Sequence, residues 1–141
     1  MRATIIADAS FCSRTKAGGW AVWIAYDGGA KGQHSGMFRS RPPSSGIAEL
    51  QAVLNGLWIA YQNGARDILV QTDCMGVVHA IKGVGAYAKM FREARLKHFA
   101  DAAVRAKHVK GHTTVADARS WCNRWADKEA KRHMRAQRGN E

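Results

Sequence analysis

Four acids stand where an apolar stretch ends or a helix turns, and acids in such places can do chemistry if they meet. Asp8 interrupts ATIIADAS, Glu49 opens the helical stretch AELQAVL, Asp73 follows ILVQT, and Asp127 lies in NRWADKEA. Each has an ordinary explanation. Glu49 suits the first turn of a helix, whose dipole favours negative charge there. Asp73 can cap the helix that follows it, and Asp127 can pair with Lys131 at i+4. Asp8 is hardest to explain away, because a carboxylate inside an apolar strand has no obvious cation partner.

Together the four would do what none does alone. Two carboxylates about 4 Å apart repel by roughly 4 kcal/mol at an effective dielectric near 20. A cluster therefore needs protons or cations. Hard divalent ions take oxygen ligands, and paired metals about 3.5–4 Å apart activate a nucleophile and stabilise a leaving oxygen in phosphodiester cleavage.

The bulk composition names the class of substrate. Lys+Arg number 22 against 11 Asp+Glu, a formal net charge of +11. Such a field attracts polyanions. Nucleic acid is favoured over anionic lipid, since no Lys-rich terminal helix shows a broad apolar face. A carboxylate pocket in a basic protein suits a phosphate substrate that is steered in and cut through metal. No apolar run approaches the ~20 residues that span a bilayer, and Asp8 comes too early for a signal peptide. A cytoplasmic monomer with no membrane contact and no obligate protein partner is expected. The three cysteines, Cys12, Cys74 and Cys122, are far apart and read as small, mostly buried, reduced thiols.

The elements that must carry the acids follow from pattern. Residues 3–10 read as a strand, 13–19 as a turn with Gly18-Gly19, and 20–26 as a second strand. The Asp27-Gly28-Gly29 turn makes a hairpin with a third strand at 32–39. Residues 41–46, RPPSSG, are a linker that a helix cannot cross. Leu50, Leu54, Leu57, Trp58 and Tyr61 recur at helical spacing, one face of a long helix stopped by Asn63-Gly64. Then come a strand at 67–72, a short helix at 74–82, and a helix at 87–103 with Phe91, Leu96 and Phe99 inward. A fifth strand at 105–111, a loop at 112–120 and a closing helix at 121–135 precede a frayed tail at 136–141.

This order predicts one α/β domain over residues 1–141. Its mixed five-stranded sheet has three antiparallel then two parallel strands, with helices on both faces. The first and fourth strands can then be parallel neighbours, which would put Asp8 and Asp73 at one edge of a crevice.

The blocks IIADAS (5–10), AEL (48–50), LVQTD (69–73), HVKGH (108–112) and NRWADKEA (123–130) resemble, in this order, those of the type 1 ribonuclease H family. Its members cut the RNA strand of RNA/DNA hybrids. Any one block is weak; the ordered set is specific and covers nearly the whole chain. The resemblance implies the ribonuclease H-like fold, with Asp8, Glu49, Asp73 and Asp127 as catalytic ligands of two Mg²⁺ ions, Mn²⁺ substituting. One ion would lower the pKa of a water for in-line attack and the other neutralise the leaving 3′-oxygen, giving 5′-phosphate and 3′-hydroxyl ends. His112, in KGH, would match the family's mobile-loop histidine, which assists proton transfer or product release. Read alone it is an exposed loop histidine. Asn123, one helical turn before Asp127, is a candidate for positioning the scissile phosphate or the loop.

The chain departs from the family where substrate is read. Asparagines commonly precede the family's glutamate and contact the hybrid's minor groove; here stand Ser45, Gly46 and Ile47. A polar residue is usual two positions after the third acid; here it is Met75. Reading of the 2′-hydroxyl is then expected from backbone groups at Ser10, Phe11, Cys12 and Ser13. The stretch from Asp73 to His112 is short for the family, so a basic helical handle is not expected. Arg119, Trp121, Arg124 and Trp125, with Arg14, Lys16, Lys128, Lys131, Arg132 and Arg135, are candidates for holding the duplex. Trp121 and Trp125 at i, i+4 read equally as packing a helix onto the sheet. Two other functions stay open: a DNA nuclease or junction resolvase of the same fold, and a non-catalytic nucleic-acid binder. Gly46 and Met75 favour the first of these; the repulsive carboxylates weigh against the second.

Overall fold

Period-two alternation sorts β1 (Arg2–Phe11) into two sides, with Ala3, Ile5 and Ala7 joining a buried cluster that Ile6 does not join. β2 (Gly18–Tyr26) pairs antiparallel with β1, and β3 (Lys31–Met37) pairs antiparallel with β2. The β2–β3 turn needs Gly28 and Gly29, at φ +88° and +97°, a region that side chains disfavour. β4 (Asp67–Thr72) joins β1 in parallel on its free edge, and β5 (Ala103–His108) joins β4 in parallel. The order β3-β2-β1-β4-β5 is the expected mixed five-stranded sheet. This computed structural model describes residues 1–109 and 118–139, with the side chains of 118–120 excepted.

Helices cover both faces, as expected. α1 (Ser45–Gln62), α2 (Met75–Ile81) and α3 (Ala88–His98) share one core with the sheet. Ile5, Val22, Ile24, Ile68 and Val70 of the strands meet Leu50, Val53 and Leu57 of α1, Val77 of α2 and Phe91 of α3. Burying each such side chain contributes about 1.5–3 kcal/mol. α1 comes close because of Gly56, where an added Cβ would sit 3.0 Å from Ile5 and Val22. The other face carries α4 (Ala118–Arg138), whose Ala126 and Ala130 pack on Ala21. No described helix is long and apolar enough to cross a membrane.

Several boundaries differ from the sequence reading. α1 begins at Ser45, inside the expected linker, because Ser44 caps it by accepting from the Ile47 N–H at 3.3 Å. α3 ends at His98, since Phe99 turns to φ −151° to bury its ring. β5 therefore starts at Ala103, earlier than expected. Leu96 is 64% exposed rather than inward; five residues past Phe91 it lies about 140° round the helix. Trp58, at the margin of the α1 stripe, is also exposed. α4 is longer than expected at both ends. Gln137 holds its last turn by accepting from the Gly18 N–H at 2.6 Å and donating to the Phe38 carbonyl at 2.7 Å. Cys122 is buried, but Cys12 and Cys74 are only half-buried; all three are free thiols.

Candidate active site

Parallel pairing of β1 with β4 ends at Ile6–Gln71. Asp8 and Asp73 each lie two residues beyond that last pair, where the strands part. Connections leave β1 in opposite directions here, and α/β sheets open a crevice at such a point.

Thr72 keeps Asp73 available. Its buried hydroxyl accepts from the Cys74 N–H at 3.1 Å, and its carbonyl accepts from the Val109 N–H at 2.9 Å. α2 starts at Cys74 with no side-chain cap, so Asp73 is not the capping residue that its position allowed. Glu49 is not a first-turn acid either. Because α1 starts at Ser45, Glu49 lies in its second turn and the first turn holds no acid. The dipole explanation fails with that placement.

The three acids meet. One carboxylate oxygen from each of Asp8, Glu49 and Asp73 lies within 4.8 Å of the others. Asp8 Oδ1 accepts from the Ala9 N–H at 2.9 Å, while Glu49 Oε2 is buried with no hydrogen-bond partner among the described residues. Burial, then the charges of Asp73 and Asp127, pushes Asp8 from 3.8 up to about 7. Burial, then Asp8 and Asp73, pushes Glu49 from 4.5 up to about 9. Without a cation the cluster keeps a proton at neutral pH, held most tightly on Glu49. Hard oxygen donors with one buried oxygen left unsatisfied fit a divalent ion such as Mg²⁺ or Mn²⁺.

Asp127 stands apart from this trio. Its charge reaches Asp8 from α4, but its Oδ2 pairs with Lys131 Nζ at 3.0 Å. The ordinary i+4 pairing is therefore present, and the fourth acid is within electrostatic range rather than ligand range. Asn123, one turn earlier on α4, is part-buried, and its Nδ2 is buried without a partner among the described residues. Buried donors are normally satisfied, so this amide is available for an incoming acceptor.

Part of the expected sugar-reading backbone is already engaged. Ser10 and Phe11 are strand residues paired with Gly19 and Gly18. The Cys12 N–H donates to the Ala17 carbonyl at 2.8 Å, and its carbonyl accepts from the Lys16 N–H at 2.7 Å. Both Cys12 groups close the turn. Lys16, at φ +62°, folds its Nζ to 5.5 Å from the Phe11 ring centre. Arg14 and Arg124 are exposed. Arg119 lies in the first turn of α4, and His112 lies outside the described residues. Trp121 and Trp125 pack edge-on against Trp23 at 5.3 and 6.0 Å, the packing reading, although Trp121 remains 50% exposed.

Two residues that shape the site were missed by the sequence reading. Thr72 was taken only as the end of a strand, although a threonine two residues before an unpaired helix amide is an ST-turn signal. Gly19 reads as part of a turn but lies in β2 beneath α4. A Cβ there would stand 2.2 Å from the Ala130 carbonyl oxygen and 2.5 Å from the Met134 nitrogen.

Known proteins share this fold. The reverse transcriptase-like family matches residues 7–133. The structure superposes on ribonuclease H1 from the halophilic archaeon Halobacterium salinarum with a TM-score of 0.73, 16% identity, and coverage of 95% of this chain and 98% of that one. The N-terminal RNase H domain of a Mycobacterium tuberculosis protein gives a TM-score of 0.73 at 19% identity, covering 96% of this chain and 100% of that one. LC11-RNase H1, solved with an RNA/DNA hybrid, gives 0.68 at 15% identity, covering 94% and 96%. No curated protein sequence matches the chain.

Proposed function

Because the chain belongs to the reverse transcriptase-like family and has the ribonuclease H fold, we propose that it is a metal-dependent endonuclease hydrolysing the RNA strand of RNA/DNA hybrids. The observation that carries this reading is the meeting of Asp8, Glu49 and Asp73 around a buried, unpartnered Glu49 oxygen. Mg²⁺ held by these three, and by Asp127 on release from Lys131, would supply a deprotonated water and neutralise the departing 3′-oxygen. Two ions are proposed for the complete set of four acids. Hybrid as substrate is supported by the LC11 enzyme, whose structure contains one.

The chain's own groups divide the remaining work. The net charge of +11 draws the backbone in. Asn123 Nδ2, without a partner among the described residues, is assigned an oxygen of the scissile phosphate. His112 is assigned proton transfer at product release. The exposed Arg14 and Arg124 are assigned backbone phosphates.

A DNA nuclease or junction resolvase is the second reading, favoured by the bare Gly46 and by Met75, 44% exposed where a polar reader was expected. One assay separates them. End-labelled RNA/DNA hybrid, duplex RNA, duplex DNA and a four-way junction are incubated with Mg²⁺, Mn²⁺ or EDTA. Cutting of RNA in the hybrid alone, stopped by EDTA, is expected. Junction cutting without hybrid cutting would replace the proposal, and tight binding without any cutting would make the protein a binder.

A further inference from the structure

The lip of the crevice holds one aromatic hydroxyl that no element of the fold requires. Tyr87 precedes α3, and its carbonyl accepts from the N–H of the buried Phe91 at 3.0 Å, which fixes its backbone. Its ring lies between the starts of two helices. A Cβ built on Gly46, in the first turn of α1, would stand 2.1 Å from the Tyr87 hydroxyl oxygen and 2.8 Å from Cζ. A Cβ built on Gly76, in the first turn of α2, would stand 3.3 Å from Cε2. A side chain at position 46 would displace the ring, and one at position 76 would crowd it. Its hydroxyl has no hydrogen-bond partner among the described residues, and the ring is only half-buried.

Position relative to the acids gives the hydroxyl a use. Gly46 and Glu49 are three residues apart on α1, so they share a face one helical turn, about 5 Å, apart. Gly76 opens the helix that follows Asp73. The phenol, seated over Gly46, thus stands one helical turn from Glu49 on the α1 side. We infer that Tyr87 is a specificity-determining residue, its hydroxyl reading a ribose 2′-hydroxyl of a nucleotide beside the scissile bond.

The chemistry favours a sugar over a phosphate. Phosphates in a protein of net charge +11 have lysines and arginines to bind them, and a neutral phenol competes poorly with those. A 2′-hydroxyl is both donor and acceptor, as is a phenol, and only RNA carries it. The backbone N–H and carbonyl of Cys12 are closed into their own turn, so neither is free to read a sugar. Tyr87 answers the same need from the α1 side.

The inference rests on the nuclease reading, and the test keeps the two separable. Wild type and Tyr87→Phe are compared on a hybrid with an all-RNA strand, and on hybrids with one deoxyribonucleotide placed in turn at each position around the cut. Loss of one neutral hydrogen bond is expected to lower kcat/KM about five- to tenfold on the all-RNA strand. At one deoxy position the two proteins should become equal, and elsewhere the difference should persist. Gly46→Ala, which forces the phenol aside in a helix that otherwise welcomes alanine, should reproduce the loss and add nothing to Tyr87→Phe. Unchanged melting of Tyr87→Phe shows that folding is not the cause. Equal rates on the all-RNA strand, or a loss that no deoxy position removes, would overturn the role of Tyr87 alone. A wild type that leaves every hybrid intact with Mg²⁺ and Mn²⁺ would overturn the nuclease reading and this inference with it.

Discussion

The two faces of the sheet are built differently, and the site straddles them. On the α1 face, Ile5, Val22, Ile24, Leu50, Val53 and Leu57 are all fully buried. On the α4 face the contact is alanine on alanine, Ala126 and Ala130 over Ala21, flanked by tryptophans that stay partly exposed. Polar links supplement it: Gln137 bonds to Gly18 and Phe38, and Ser35 donates to Glu129 at 3.1 Å. Asp8 and Asp73 hang from the central strands and Glu49 from α1, on a backbone anchored by this aliphatic core. Asp127 and Asn123 hang from the thinner side. The difference teaches that the elements carrying the trio are anchored by an aliphatic core, whereas the position of Asp127 depends on how closely one helix backbone approaches one strand.

The sharpest way to break the first half of that comparison is to neutralise an acid of the fixed trio. Asp73→Asn should lower hybrid cleavage by at least about a thousandfold while leaving the fold intact, checked by cleavage of labelled hybrid and by circular dichroism. Retained activity would remove the trio from the chemistry.

Glycine substitutions compare the faces directly. Gly19→Ala drives a methyl to 2.2 Å from the Ala130 carbonyl, backbone against backbone. It should cost about 2–3 kcal/mol and reduce cleavage by moving Asp127. Gly56→Ala meets only side-chain methyls at 3.0 Å and gains helix propensity, so its net change should stay within about 1 kcal/mol. Urea unfolding of both variants decides the matter; equal costs would mean that the α4 contact is no tighter than the α1 contact.

Protons report on the trio in the absence of metal. Asp8 and Glu49 titrate higher in the folded chain, at about 7 and about 9 instead of 3.8 and 4.5. Between those limits the folded state binds more protons than the unfolded one, so stability is greatest below the unfolded values and falls as pH rises. The loss accumulates as pH rises through the window from the unfolded values to about 9. Glu49→Gln should flatten this slope and melt higher than wild type at pH 8 in EDTA. Melting curves across that range would contradict the account if the variant kept the wild-type slope.

The smallest effect belongs to the fourth acid. Lys131→Ala removes a part-exposed pair and should change stability by less than about 1 kcal/mol. It frees Asp127 for metal and should lower the Mg²⁺ concentration for half-maximal cleavage about two- to fivefold. An unchanged or raised requirement would show that Lys131 does not compete for that carboxylate.

Much of this was legible in the residues. The apolar runs in 3–10 and 67–72 and the helical stripe from Leu50 to Tyr61 set the order of elements, and that order put β1 beside β4. That neighbourhood was enough to bring Asp8 and Asp73 together. What the residues could not show depends on distance rather than pattern. The Ser44 cap moved Glu49 into the second turn, and Thr72 took the amide that Asp73 was thought to cap. Gly19 and Gly46 read as turn or as absence, yet each is where another group arrives, the α4 backbone in one case and the Tyr87 hydroxyl in the other.

The most direct test of the central claim is a calorimetric titration of Mn²⁺ into the wild-type protein and Glu49→Gln at pH 8, in two buffers of different ionisation enthalpy. The account predicts that wild type takes up the ion with release of protons, because the carboxylates that receive it hold protons when empty, and that Glu49→Gln loses both the uptake and the release. Binding with no proton release, or identical isotherms for the two proteins, would contradict it.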